Sequence, residues 1–206
     1  MSNGADLLNT PSRVADLSTL EGEWLGVAGA RARIPIPWFC MFDSSDLEPC
    51  TISYQSYAPV DGKPMSRLVK AVILNPSSSV ADSKLKLAKS RRIFETLAAD
   101  ATIGHEYWAA AMSQLDRLPL PFLTIDATEI LVMDDVKMST DEFARAFGND
   151  AKAIDLIKKF SCIEDDPSDA ALESGFFDPQ YRSRSTRTAE ARQQWDAALA
   201  QMPLDW

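Results

Sequence analysis

Residue types that commonly do chemistry are sparse in this chain. It holds one histidine, His105, in the stretch ATIGHEYW (101–108), and three cysteines, Cys40, Cys50 and Cys162. Glu106 follows His105 directly, but neighbours one apart on a helix do not face each other, so Glu106 is badly placed to orient the imidazole. A nucleophile relay needs a serine or cysteine within reach of the base, and no G-x-S-x-G elbow is present. His105 therefore reads as part of a helix start, solvated or hydrogen-bonded, and no catalytic residue is assigned. Structural zinc takes four nitrogen or sulfur ligands, usually in close pairs. Cys40 and Cys50 are ten apart, Cys162 stands alone, and one histidine cannot complete such a set. The cysteines read as small buried hydrophobes, and no metal ligand is assigned. Neither G-x-G-x-x-G nor G-x-x-x-x-G-K-[ST] occurs, so no nucleotide cofactor is expected.

Carboxylates are the one plentiful chemical group. In TIDATEILVMDDVK (124–137), Asp126, Glu129 and Asp135 with Lys137 form the pattern of a divalent-metal hydrolase, in which acids hold the ion and a lysine helps position water. The competing reading is a strand end whose solvated acids lead into a capped helix. EDDPSD (164–169) has neither the spacing nor the central glycine of an EF-hand and reads as a solvated loop. Arg182, Arg184 and Arg187 in YRSRSTR either grip an acidic group or solvate the approach to a helix.

Charge narrows the partners. The net charge is −9, which a phosphate backbone repels, so nucleic acid is not expected as a partner. Residues 31–92 carry ten basic and five acidic side chains, whereas residues 93–178 carry six basic and eighteen acidic ones. A field of that sign attracts basic partners and speeds their association. No run of eighteen uncharged apolar residues exists to span a membrane, and MSNGADLLNTPSR lacks the basic and apolar regions of a secretory signal. An odd number of cysteines fits reduced thiols in a cytoplasm.

The elements that must position these groups follow from periodicity. Residues 1–20 read as a flexible lead-in, broken by Asn3, Gly4, Asn9, Pro11 and Ser12, and residues 21–206 as a single domain with a C-terminal helix. Pro35 and Pro37 argue for an edge strand or extended segment entering the buried run WFCMF. CTISYQSYAPV, the Asp61-Gly62 turn and RLVKAVILN predict an antiparallel unit over residues 33–75. SKLKLAKSRRIFETLAAD and GHEYWAAAMSQLDRL predict helices, PFLTIDATEILVMDD a strand with a bend near Asp126. STDEFARAFGNDAKAIDLIKKF predicts a helix capped by Ser139 and Glu142, with Gly148-Asn149 weak enough to split it. A polar connector with Phe176 and Phe177 precedes a last helix packed through Trp195. The fold class is α+β: a small antiparallel sheet packed with four to five helices.

The chain resembles the immunity proteins that bacteria make against their own secreted toxins, including those of type VI and polymorphic toxin systems. The resemblance is carried by size and sorting, the acidic stretch 93–178, the lack of a catalytic set, and the wording SRRIFETLAAD followed by PFLTIDATEILVM. It implies a protein that is not an enzyme, needs no cofactor and blocks a basic toxin or effector. Acids would pair with the toxin's basic residues while aromatics fill its cleft. The surface assigned to that role is Asp134, Asp135, Asp141, Glu164, Asp165 and Asp166, with Phe176 and Phe177 as anchors; the two phenylalanines serve equally well as satellite core under a loop. An adaptor or chaperone for a secreted effector would use the same acidic surface but leave its client active.

Overall fold

The computed structural model describes residues 4–14, 16–20, 22–60, 63–97, 101–148 and 151–161. Five strands, β1 (Gly4–Thr10), β2 (Leu25–Arg31), β3 (Leu47–Val60), β4 (Lys63–Ser79) and β5 (Phe122–Asp126), form one sheet in the order β2-β1-β5-β4-β3. Every neighbouring pair is antiparallel. Seven α-helical segments are described: α1 (Ile36–Cys40), α2 (Val80–Lys89), α3 (Arg91–Leu97), α4 (Ala101–Leu115), α5 (Thr128–Leu131), α6 (Val136–Ala146) and α7 (Ala151–Ser161). The fold is α+β. No described helix is long and apolar enough to cross a membrane.

The lead-in assigned to residues 1–20 is corrected by β1, which pairs with β2 on one side and β5 on the other. Alternation explains it: Ala5 and Leu7 are buried on one face and Asp6 looks out on the other. Asn9, expected to break the segment, is what joins it to its neighbour. Its amide nitrogen donates to the carbonyls of Leu120 (2.8 Å) and Phe122 (2.6 Å), and its oxygen accepts from the Leu120 N–H (2.9 Å). A buried amide with these bonds filled adds directional pairing instead of a desolvation cost.

WFCMF also differs from expectation. Trp38, Phe39 and Cys40 lie in the short helix α1, with Pro37 in its first turn, where the missing N–H costs nothing. Ile36 through Phe42 are all buried. Phe39 meets the rings of Phe143, Phe147 and Phe160 at 5.2–6.2 Å, which joins α1 to α6 and α7. Each such buried ring contributes about 1.5–3 kcal/mol by area alone. Leu7, Leu123 and Ile125 from the sheet complete the same core.

β3 and β4 pair antiparallel and in register, as expected for the strands on either side of residues 61 and 62, with Val60 against Lys63. The helix expected over SKLKLAKSRRIFETLAAD breaks at Ser90, the C-cap of α2. In PFLTIDATEILVMDD the strand ends at Asp126, and TEIL turns into α5. The long helix after it is divided into α6 and α7. Its cap is Asp135, whose Oδ1 accepts from the Met138 N–H (2.9 Å); Ser139, expected as the cap, lies inside α6. The connector and the last helix fall outside the described residues.

Candidate functional site: an acidic groove beside an apolar pocket

Strand register brings three carboxylates together at one end of the sheet. Asp6 on β1 pairs with Gly29 on β2 and with Asp126 on β5, so these three positions form one row across the sheet. Glu129, on α5, is carried over the row by the turn that follows β5. The resulting groove of about 340 Å³ is lined by Gly4, Asp6, Gly29, Arg31, Asp126 and Glu129. A Cβ at Gly29 would lie 2.9 Å from Asp6 Oδ1, so a larger residue there would push the carboxylate aside.

Two of the acids are fixed by backbone donors. Glu129 Oε2 accepts from the Gly4 N–H (2.9 Å), and Asp126 Oδ1 accepts from the Thr128 N–H (3.0 Å), which starts α5. Asp6 makes no hydrogen bond among the described residues. Partial desolvation, then the charges of Asp126 and Glu129, push its carboxyl above the ordinary value. The groove thus gathers three carboxylates, with Arg31 the one basic residue in its lining.

A second hollow of about 350 Å³ shares Asp6 and Asp126 with the first and is otherwise lined by Leu8, Leu17, Leu20, Trp24 and Gly26. Trp24 is 51% exposed at its edge. The segment bearing Leu17 and Leu20 is tied down by a closed circuit of bonds. The Val14 N–H donates to Ser77 Oγ (3.1 Å), Ser77 and Thr124 hydroxyls meet at 2.9 Å, and Thr124 Oγ1 donates to the Val14 carbonyl (2.9 Å). Since Thr124 spends its proton on Val14, Ser77 donates to Thr124.

The structure gathers only part of what the sequence singled out. Asp126 and Glu129 share the groove, whereas Asp135 caps α6 and Lys137 is exposed on that helix. Asp134, Asp135 and Asp141 are exposed and none lines either hollow. Glu164, Asp165, Asp166, Phe176, Phe177 and the arginines 182, 184 and 187 lie outside the described residues. Asp6 and the Trp24 pocket were missed. The available signal was the alternation of GADLL, in which Asp6 falls on the face opposite Leu7.

His105 is the fifth residue of α4, and its Nδ1 is buried without a hydrogen-bond partner among the described residues, unlike the solvated or bonded imidazole expected. Its ring stacks on Trp108 (5.6 Å, 22°), whose Nε1 donates to the Leu87 carbonyl (2.9 Å). Cys40 and Cys50 are free and buried, and burial pushes the Cys40 thiol to about 12. Among the described residues no three His, Cys, Asp or Glu are arranged to hold a metal ion. No protein-family model, curated protein or solved structure matches the chain.

Proposed function

We propose that this protein is an immunity protein that binds a basic toxin or effector and blocks it by occlusion. The observation that carries the reading is the pair of hollows sharing Asp6 and Asp126, one acidic and one apolar. A lysine or arginine of the partner fits the first, and the side chain beside it fits against Leu17, Leu20 and Trp24 in the second. Charge pairing at the rim speeds association, while a ring in a partly dry pocket slows release. The net charge of −9 favours the same class of partner. The proposed surface is therefore Asp6, Asp126, Glu129 and Trp24, with Asp134, Asp135 and Asp141 as outlying acids.

The test is affinity capture of the full chain from its own host, identification of the co-purifying protein, and assay of that protein free and in complex. A basic partner that loses its activity in the complex is expected, with affinity falling at least about tenfold for Asp6→Asn/Asp126→Asn and for Trp24→Ala. A partner that keeps its activity would make the protein an adaptor instead.

A second reading, a divalent-metal hydrolase, rests on Asp126 and Glu129 lining one groove with Asp6; as placed these acids do not form a metal-binding set, so an ion would have to draw them together. It predicts that Mg²⁺ or Mn²⁺ raises the melting temperature of the wild-type chain and not of Asp126→Asn. Absence of any shift at millimolar metal would remove this reading.

A further inference from the structure

Helix α7 ends close to the acidic groove. Ser161, its last residue, donates from the hydroxyl to the Ile34 carbonyl (2.8 Å), and the Ile34 N–H donates to the Phe160 carbonyl (2.9 Å). Ile34 follows the groove-lining Arg31 by three residues, a span of at most about 11 Å. The sequence past Ser161 therefore starts within reach of the groove. It holds a run suited to both hollows. From Pro179 to Ala189 it carries Arg182, Arg184 and Arg187 with no aspartate or glutamate, and Tyr181 stands at the head of the arginines. Tyr181 lies twenty positions after Ser161. Twenty residues bridge about 30 Å even when wound as helix, and more when extended, so length does not restrict where the run docks.

The receiving surface is apolar on one side and acidic on the other. The hollow of Leu8, Leu17, Leu20 and Trp24 leaves half of the Trp24 side chain exposed. A tyrosine fills such a space with its ring and keeps its hydroxyl at the wet edge. Asp6 and Asp126 belong to this hollow and to the groove beside it, where with Glu129 they face the single base Arg31. A guanidinium presents five donors in a rigid fork that matches carboxylates. Arginines two apart on extended backbone point to the same side about 7 Å from each other, so Arg182 and Arg184 can address neighbouring acids together.

We propose that the chain's own segment Tyr181–Arg187 occupies these two hollows when no partner is bound, with Tyr181 against Trp24 and Arg182 and Arg184 on the acids of the groove. The inference rests on the reading of the hollows as the binding site and adds its regulation: a partner gains the site by displacing the segment. A tethered occupant acts at an effective concentration of about a millimolar, so contacts too weak to hold a separate peptide suffice here. The partner's apparent affinity falls with the fraction of chains in which the segment is docked. That selects a partner with more basic and apolar surface than the segment itself offers.

Disulfide closure within the full chain, carrying Cys162→Ser, tests it. Gly26 lines the apolar hollow and a Cβ there meets nothing within 4 Å, so Gly26→Cys has room. Ser183→Cys sets the second thiol between arginines that all remain. Under mild oxidation this pair is expected to close, as a monomer, at least about tenfold faster than Leu68→Cys with Ser183→Cys. Leu68 is exposed and lies about 30 Å along β4 from Ser77, whose row across the sheet leads to Gly26. Asp6→Asn/Asp126→Asn, or salt raised from about 0.05 M to about 0.5 M, is expected to slow the first pair and not the second. If a cysteine variant fails to fold, nuclear magnetic resonance carries the test. Replacing all three arginines by serine is expected to move the amide signals of Asp6 and Gly29 and not those of Leu68 and Val72. Equal closure at positions 26 and 68, dimers in place of closed monomers, a first pair indifferent to loss of the acids, or unmoved Asp6 and Gly29 signals would overturn the proposal. That failure is distinct from failure of the immunity reading, which stands or falls on whether a partner is blocked through Asp6 and Asp126.

Discussion

Asp6 on β1 stands directly opposite Asp126 on β5, two carboxylates in one row of an antiparallel sheet. Like charges at directly opposed positions destabilise a strand pair. The fold keeps this pair at the mouth of a groove, where an incoming cation relieves the repulsion. Its consequences reach beyond binding, into the stability of the free protein.

Asp6→Asn is expected to stabilise the free chain at neutral pH. The folded Asp6 carboxyl titrates above its unfolded value, so the native state takes up this proton first on acidification. The charge therefore costs stability at pH above the folded value, and that cost vanishes as pH falls through the folded value toward the ordinary one. Thermal melts should show the variant ahead at pH 7 by less than about 1 kcal/mol, since the side chain is largely exposed, and level with wild type near pH 3. An equal gain at both pH values would contradict the account.

Lys86→Met is expected to cost about 2 kcal/mol at pH 7. Lys86 Nζ reaches Asp43 Oδ2 (3.1 Å) and the buried Asp46 carboxylate, which also accepts from the Asp43 N–H (2.9 Å). Burial pushes Asp43 up, but the Ser45 hydroxyl and N–H and the Lys86 charge outweigh it and hold the carboxyl below the usual range. Stability from Asp43 is thus present above the ordinary carboxylate value and lost as pH falls through the depressed one. In Lys86→Met that pH-dependent loss should be smaller and complete at higher pH, which urea titrations across pH 3–7 would resolve.

Native Cys40 and Cys50 should resist thiol reagents. Burial raises both thiols, Cys40 to about 12, so the thiolate that such reagents need is disfavoured at each. A Cys162→Ser chain is expected to release no colour with Ellman's reagent when native and two equivalents in guanidinium. Labelling of either cysteine in the native chain would show that the core around α1 opens readily.

Ser77→Ala should cost about 1–2 kcal/mol, because the Val14 N–H loses its acceptor in a buried setting. The effect reaches the groove, since Val14 precedes the segment carrying Leu17 and Leu20. Amide hydrogen exchange at Val14 should accelerate in the variant, and Thr124→Val should accelerate it by a similar factor. Unchanged exchange would mean that other contacts hold this segment.

Much of the fold was legible because local chemistry and tertiary need agree. The β3–β4 hairpin follows from strand residues flanking Asp61-Gly62, β5 from PFLTID, and the helices from a 3.6-residue apolar period that the core satisfies. Where the two disagree, local signals misled. Asn9 carries turn chemistry by itself, yet in the sheet its amide finds three backbone partners more than a hundred residues away. WFCMF has strand composition, but Pro37 suits a helix start, and three phenylalanines from α6 and α7, Phe143, Phe147 and Phe160, pack around its rings. Ser139 makes a sound cap in isolation, and Asp135 one turn earlier makes one that also buries Val136.

Composition alone determined the acidic character, the scarcity of catalytic side chains and the α+β alternation of elements, because these are sums and periods along the chain. Which acids act together was decided by tertiary structure. Asp126 and Glu129 are three apart and meet through one turn, but Asp6 joins them only because β1 inserts between β2 and β5, and Asp135 leaves them because a helix N-terminus takes its carboxylate. Register between strands distant in sequence is a long-range property, and it placed the groove.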